Sequence, residues 1–217
     1  GNRTTIADGN TWNHEHIATL GRILTAPEEE AHSLARHLAD YVLVWAGGGG
    51  DDLAKSPHMA RIGNSVYRDI CPGDPTCSGF GFYQGGVPTP MMEECLLYRL
   101  TQYGREDIFV NESLFEHVFT SKYQKVRIFK VKRVSLKSKK WVANASNRLC
   151  DAPGSWYCPG QYPPALAPLI ARRKRFAQLE DFNVEKSAED DEYQRAYHEK
   201  MQGGAGAGSK QAKELKK

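Results

Sequence analysis

The stretch that most constrains the fold runs from Tyr41 to Ile62. Five β-forming apolar residues, YVLVW, end in four consecutive glycines and give way to apolar spacing of helical period. A short apolar run bounded by glycine is the pattern of a buried strand, so Tyr41–Trp45 is expected to lie inside the molecule. Upstream, Asn10 or Asn13 can cap a helix through HEHIATLGRILT, with Ile17, Leu20 and Leu24 on one face. A second helix is expected from Pro27 to Asp40, its three Glu suited to a helix N-terminus and Leu34 and Leu38 turned inward. Helix, strand, glycine loop and helix in series predict a mixed α/β core.

Further elements fit around that core. GNRTTIAD reads as a strand. Cys71 to Pro90 is rich in Gly and Pro and reads as an irregular excursion, whose GFGFYQGG is either an exposed contact loop or a cover for the core. PMMEECLLYRLTQY reads as one helix with Met92, Cys95, Leu96 and Leu100 on or near one face. KVRIFKVKRV reads as a strand with a bulge around Ile128 and Phe129. One domain over 1–186 is expected, followed by a charged, Gly- and Lys-rich tail over 187–217 read as a frayed helix and partly disordered.

Two Cys pairs flanked by Pro and Gly, Cys71 with Cys77 and Cys150 with Cys158, suit loop-stapling disulfides and an oxidising compartment, with Cys95 left over. A zinc site is the rival reading, although the intervals are long and no His lies near either pair. Sequons at Asn2, Asn111 and Asn144 point the same way. The net charge of +3 gives no field for drawing in nucleic acid, so none is expected as a partner. Electrostatic function must then be local. Nine Lys and Arg with no acid occupy Lys122 to Lys140, either meeting lipid head groups or donor phosphates or forming the solvated face of a strand. His14, His16, His32 and His37 lack metal-binding spacing with nearby carboxylates and read as surface or capping residues. No apolar run reaches the roughly 18 to 20 residues that a membrane span needs.

The glycine loop invites a phosphate-binding reading, which fails on chemistry. Neither Gly-Lys-Ser/Thr nor spaced glycines are present, and Asp51 and Asp52 at the helix entry would repel an anion. Beyond the loop, Asp52, Lys55, Met59 and Ile62 fall at i, i+3, i+7 and i+10, within an arc of roughly 80° on a helix. Pro57 calls for a first turn over Asp52 to Lys55 and a restart with Ser56 as cap. Two readings remain open: a small pocket for a short polar group bearing a methyl, or an ordinary amphipathic helix with a surface ion pair.

The pattern Asp52-x-x-Lys55-x-x-x-Met59-x-x-Ile62 resembles the DK motif, DxxKxxxMxxI, of the catalytic subunits of eukaryotic-type oligosaccharyltransferases. DGNTWNHEHIATLG, from Asp8 to Gly21, is similar to the DNNTWNNTHI segment that family members carry after their WWDYG motif. Asn13-His14-Glu15 lacks the sequon often found in that segment. The resemblance is clear over Asp8 to Tyr67 and thin beyond.

The resemblance implies the lumenal C-terminal domain of such a subunit, in the endoplasmic reticulum, with the transmembrane catalytic region and WWDYG expected upstream of Gly1. Ile62, with Met59, would line the pocket for the residue two places after the acceptor Asn and touch a threonine methyl. Asp52 and Lys55 would border the pocket and position WWDYG. The reaction served would be transfer of a dolichol-linked oligosaccharide to Asn in Asn-x-Ser/Thr of an acceptor polypeptide. No cofactor is expected in this chain, with Mn²⁺ or Mg²⁺ in the full-length enzyme, and the isolated chain is expected to be inactive. The alternative is a disulfide-stabilised secreted or lumenal interaction module without a catalytic role.

Overall fold

The structure, a computed structural model, describes residues 5–7, 14–47, 51–105, 107–147, 162–172, 188 and 191–202. Helix α1 (His14–Thr25) leads through Ala26 and Pro27 into α2 (Glu28–Ala35), then strand β1 (Tyr41–Trp45). A 3₁₀ turn (Leu53–Lys55) runs directly into α3 (Ser56–Val66). After the Gly/Pro-rich excursion come α4 (Pro90–Glu94) and α5 (Leu96–Gln102), the hairpin strands β2 (Phe115–Thr120) and β3 (Val126–Val131), then α6 (Leu136–Ala143) and α7 (Ala167–Arg172). The sheet is antiparallel with order β1-β3-β2. The class is mixed α/β, as expected. Thr5–Ala7 are not in a strand, and the rest of the proposed first strand lies outside the described residues.

The tight pairing is between α1 and α3. Gly21 faces α3 so closely that a Cβ there would sit 2.7 Å from the Met59 carbonyl oxygen. Ala18, Thr19, Gly21, Arg22 and Thr25 are buried, whereas Ile17, Leu20 and Leu24 are only half-buried. The apolar period therefore misjudged the face. Helices this close need small residues at the contact, and small residues carry little weight in a hydrophobic period. Arg22 ties the pair to its surroundings, donating to both Asp69 carboxylate oxygens at 2.8 and 3.1 Å and to Glu30 at 2.8 Å.

The strand β1 corrects a second expectation. Of its residues only Val44 is buried, while Tyr41, Leu43 and Trp45 are 46%, 60% and 47% exposed. It is an edge strand with one covered face, and its outward aromatic and aliphatic side chains mimic a core strand in sequence. On β3 the inward residues are Arg127, Phe129 and Val131, so the basic residues do not share one solvated face. The bulge lies opposite Phe129 and Ile128 but on the partner strand, between His117 and Phe119 of β2, whereas β3 is regular against β1.

The helix expected from Pro90 onward is broken. Thr89 caps α4 by accepting from the Met92 amide at 3.3 Å, with Pro90 in the first turn. Cys95 then adopts extended backbone (φ −71°, ψ 145°), and the Leu96 amide leaves the helix ladder to donate to the Ala26 carbonyl at 2.8 Å. Cys95 is buried, its Sγ accepts from the Tyr98 amide, and burial pushes its thiol up to about 11. In α2 the helix starts after Pro27 rather than at it and ends at Ala35, because Arg36 to Leu38 form a tightened last turn.

The histidines read as surface groups are partly cross-links. His32 is buried and its Nε2 meets the Lys132 carbonyl at 2.8 Å, and half-buried His37 meets the Ser138 hydroxyl at 2.7 Å. His14 Nε2 lies 2.9 Å from the Ser65 hydroxyl, joining α1 to α3, and His16 lies 2.9 Å from the Tyr162 hydroxyl. Such roles follow from tertiary neighbours that spacing does not report.

A disulfide links Cys71 and Cys77, as expected, while Cys150 and Cys158 lie outside the described residues. The loop it closes receives a helix over 191–202: Lys200 Nζ reaches Asp74 at 2.6 Å, the Tyr193 hydroxyl donates to the Pro75 carbonyl at 3.1 Å, and Arg68 stacks on the Tyr193 ring. Burial raises the Asp74 pKa, but hydrogen bonds from Lys200, Ser78 and Thr76 outweigh it and hold the carboxyl well below the usual carboxylate range. A depressed pKa stabilises the folded state above the ordinary Asp value of about 3.9, and that stabilisation is lost as pH falls through the folded pKa. Acidification below about pH 4 is therefore expected to raise amide exchange over 191–202 before the α1–α3 pair opens. Asp74→Asn should show the same local opening at pH 7, and unchanged exchange in that variant would refute the anchoring role.

Candidate functional site

The segment singled out by spacing is built in three pieces. Asp52 lies back against the end of β1. The Asp52 amide donates to the Trp45 carbonyl at 3.1 Å, and the Trp45 amide donates to Asp52 Oδ2 at 2.8 Å. Asp51 Oδ1 accepts from the Ala54 amide at 3.1 Å and so caps the 3₁₀ turn. Asp52 also lies 3.6 Å from Lys55 Nζ, a loose pair with 33% and 65% of the side chains exposed. Such exposed pairs contribute little stability, so the Trp45 clamp is the firmer contact of Asp52.

The turn restarts as a helix, but not through a Ser56 cap. Ser56 is buried, its hydroxyl donates to the Leu53 carbonyl at 2.6 Å, and Lys55 occupies the capping position with Pro57 in the first turn. The 3₁₀ turn and α3 therefore follow one another directly, because Pro57, lacking an amide, is placed where no intrahelical donor is needed.

On α3, Met59 and Ile62 are both half-buried. They pack on different apolar groups: Met59 against the main core and Ile62 against the smaller cluster of Ala18, Val66 and Tyr67, which also takes Ile70 and Leu169. Each keeps part of its surface open. The buried residues of the helix are Ser56, Ala60, Gly63, Asn64 and Val66, and Met59 and Ile62, half-buried, lie beside them at the edge of the packed face. Asn64 fixes the far end, accepting from the Cys71 amide at 2.9 Å and donating to the Asp74 carbonyl at 3.3 Å. The motif thus sits on a helix held at both ends, with an acidic and a basic group at its start and two half-buried apolar groups at the edge of its packed face.

Spacing alone did not identify the groups that position this helix. Gly21 and Gly63 set the α1–α3 approach, and a glycine inside each helical pattern was the available signal. Of the sequons, Asn111 and Asn144 are exposed, each side-chain oxygen accepting from the following Ser amide and hydroxyl, at 3.0 and 2.7 Å for Ser113 and 3.1 and 2.6 Å for Ser146. Asn2 lies outside the described residues. Among the described residues no three His, Cys, Asp or Glu side chains converge to hold a metal ion, and no helix is long and apolar enough to cross a membrane.

No protein-family model matches the chain. Among curated proteins, it is 35% identical over 158 residues to dolichyl-diphosphooligosaccharide–protein glycosyltransferase subunit STT3B of Oryza sativa subsp. japonica, covering 61% of this chain and 22% of the relative. The STT3A subunit of the same organism is 34% identical over 180 residues, covering 70% and 22%. The stt3 subunit of Schizosaccharomyces pombe is 33% identical over 155 residues, covering 60% and 21%. The matched segment thus spans about a fifth of the length of these relatives.

Proposed function

Because this chain belongs to the STT3 family of dolichyl-diphosphooligosaccharide–protein glycosyltransferase subunits, we propose that the half-buried edge of α3 that carries Met59 and Ile62 forms part of the site that recognises the acceptor polypeptide. The observation that carries this reading is the half-open pair Met59 and Ile62, borne on a helix anchored at both ends and preceded by the Asp52–Lys55 pair. A hydroxyl with an adjacent methyl, as in threonine, needs an apolar wall beside polar groups, and these four residues supply that combination. Ile62, with Met59, lines the pocket for the residue two places after the acceptor Asn. Lys55 borders it, and Asp52 shapes its entrance by holding the loop to Trp45.

The parent protein transfers an oligosaccharide from a dolichol-linked donor to the side-chain amide nitrogen of Asn in Asn-x-Ser/Thr, in the lumen of the endoplasmic reticulum. The groups that bind the donor, and the Mn²⁺ or Mg²⁺ of the full-length enzyme, belong to the transmembrane region, so the isolated chain has no transferase activity. Asn111 and Asn144 are themselves candidate acceptors.

In the intact parent enzyme, Ile62→Ala is expected to lower kcat/KM for Asn-x-Thr peptides about fivefold more than for Asn-x-Ser peptides, since one buried methyl contributes roughly 1 kcal/mol. The comparison divides out general damage to the enzyme. Equal losses for the two peptides would remove Ile62 from the pocket.

A further inference from the structure

The strand register places the outward side chains of the sheet on one surface. Tyr41, Leu43 and Trp45 of β1 lie opposite Lys130, Ile128 and Val126 of β3, and Phe119 of β2 lies opposite Ile128 from the other side. Leu43 is 60% exposed and Phe119 49%, with Val118 at the bulge 45% exposed beside it. Isolated apolar residues are normal on a surface, but a strip continuous across three strands marks a contact surface.

At one corner the strip runs into a groove of about 540 Å³, because Tyr41 and Lys130 belong to both. The groove is lined by four cations, Lys130, Lys132, Arg133 and Lys139, against one carboxylate, Asp40. Lys139 already holds Asp40 at 2.7 Å, and Lys132 is bonded to Glu116 at 2.6 Å, a carboxylate that also faces Lys130 across the strands. Arg133 has no carboxylate partner among the described residues. The positive charge left over therefore lies beside the apolar strip.

We propose that this sheet face and groove rest on an anionic phospholipid surface. Tyr and Trp with one apolar and one polar end, next to Lys and Arg, are the side chains that settle at a lipid head-group boundary. An apolar protein partner would explain the strip but not the cations beside it, which are complementary to a negative surface. Leu43, Trp45 and Phe119 enter the boundary while Lys130 and Arg133 meet the lipid head groups. None of the α3 motif residues takes part, so failure here leaves the acceptor reading intact.

The test is flotation of the 217-residue chain with vesicles of phosphatidylcholine alone and of phosphatidylcholine with about one third phosphatidylserine. Binding is expected to the anionic vesicles. The double variant Lys130→Gln/Arg133→Asn should weaken it roughly tenfold or more, as should raising salt to about 0.5 M, because each surface cation acts within a Debye length of the lipid. Asn is chosen because Arg133 sits at φ 50°, a left-handed backbone that Asn tolerates. Leu43→Glu/Phe119→Glu should abolish flotation at an unchanged thermal midpoint; if that pair unfolds, the surface cation pair still decides. No flotation, equal binding to the two vesicle types, or binding indifferent to the cation pair would overturn the proposal. So would capture of a soluble protein on this face without vesicle binding.

Discussion

Gly21→Ala is expected to destabilise the chain by about 2 kcal/mol, although alanine is the better helix former by up to about 1 kcal/mol. The added Cβ would lie 2.7 Å from the Met59 carbonyl oxygen, and that atom is backbone, so α3 itself must move to relieve the clash. Overpacking of this kind outweighs the gain in helix propensity. Gly63→Ala is the control. Its Cβ would meet the Ile70 Cδ1 at 2.7 Å, the end of a side chain that can rotate, and the Arg22 amide nitrogen only at 3.3 Å. A clearly smaller loss in denaturant midpoint is expected for Gly63→Ala than for Gly21→Ala. The first variant also displaces the residues proposed for acceptor recognition, so in the intact parent its activity should fall more than its folded fraction. Full stability of Gly21→Ala would mean that the two helices are not packed through this glycine.

Arg127→Met is expected to cost roughly 2 to 3 kcal/mol, against less than about 0.5 kcal/mol for Lys130→Gln on the opposite face of the same strand. Arg127 is buried, and its Nη1 donates to the Thr101 carbonyl and, at 3.5 Å, to that of Leu100. These carbonyls belong to the last turn of α5, which has no intrahelical partners for them and carries the negative end of the helix dipole. The guanidinium is therefore compensated by a helix end rather than by a carboxylate. Desolvation, then the nearby Arg105, lowers its pKa, but an Arg retains its charge across the working range. Methionine keeps the apolar stem and leaves both carbonyls without a donor in a dry site. Equal costs for the two substitutions, measured by chemical denaturation, would contradict the assignment of Arg127 to the inner face.

What the chain states locally was legible. Proline located the starts of α3 and α4, the Pro/Gly-flanked Cys71 and Cys77 announced their disulfide, a short apolar run of β-formers announced β1, and alternation announced β3. The motif at Asp52, Lys55, Met59 and Ile62 was legible as spacing, and with its upstream segment it pointed to the family. These features depend on neighbours a few residues away, whose geometry the backbone dictates.

The faces were decided by tertiary structure. Tyr41, Leu43 and Trp45 have a core strand's composition, yet β1 is covered on one side only. Cys95 fits the apolar period of a continuous helix, yet the Leu96 amide bonds to the Ala26 carbonyl and the helix is broken there. Arg127 lies in a basic run and is nonetheless buried, because the end of α5 lies where its donors can reach. Burial depends on what is brought against a surface by residues distant in the chain, and period, composition and charge carry no record of that approach. The run α1, α2, β1, α3 and the spacing of the motif were therefore legible in the sequence alone, whereas which side of each element meets the core, and which remains exposed, was settled only when α1 closed on α3 and the sheet on α5.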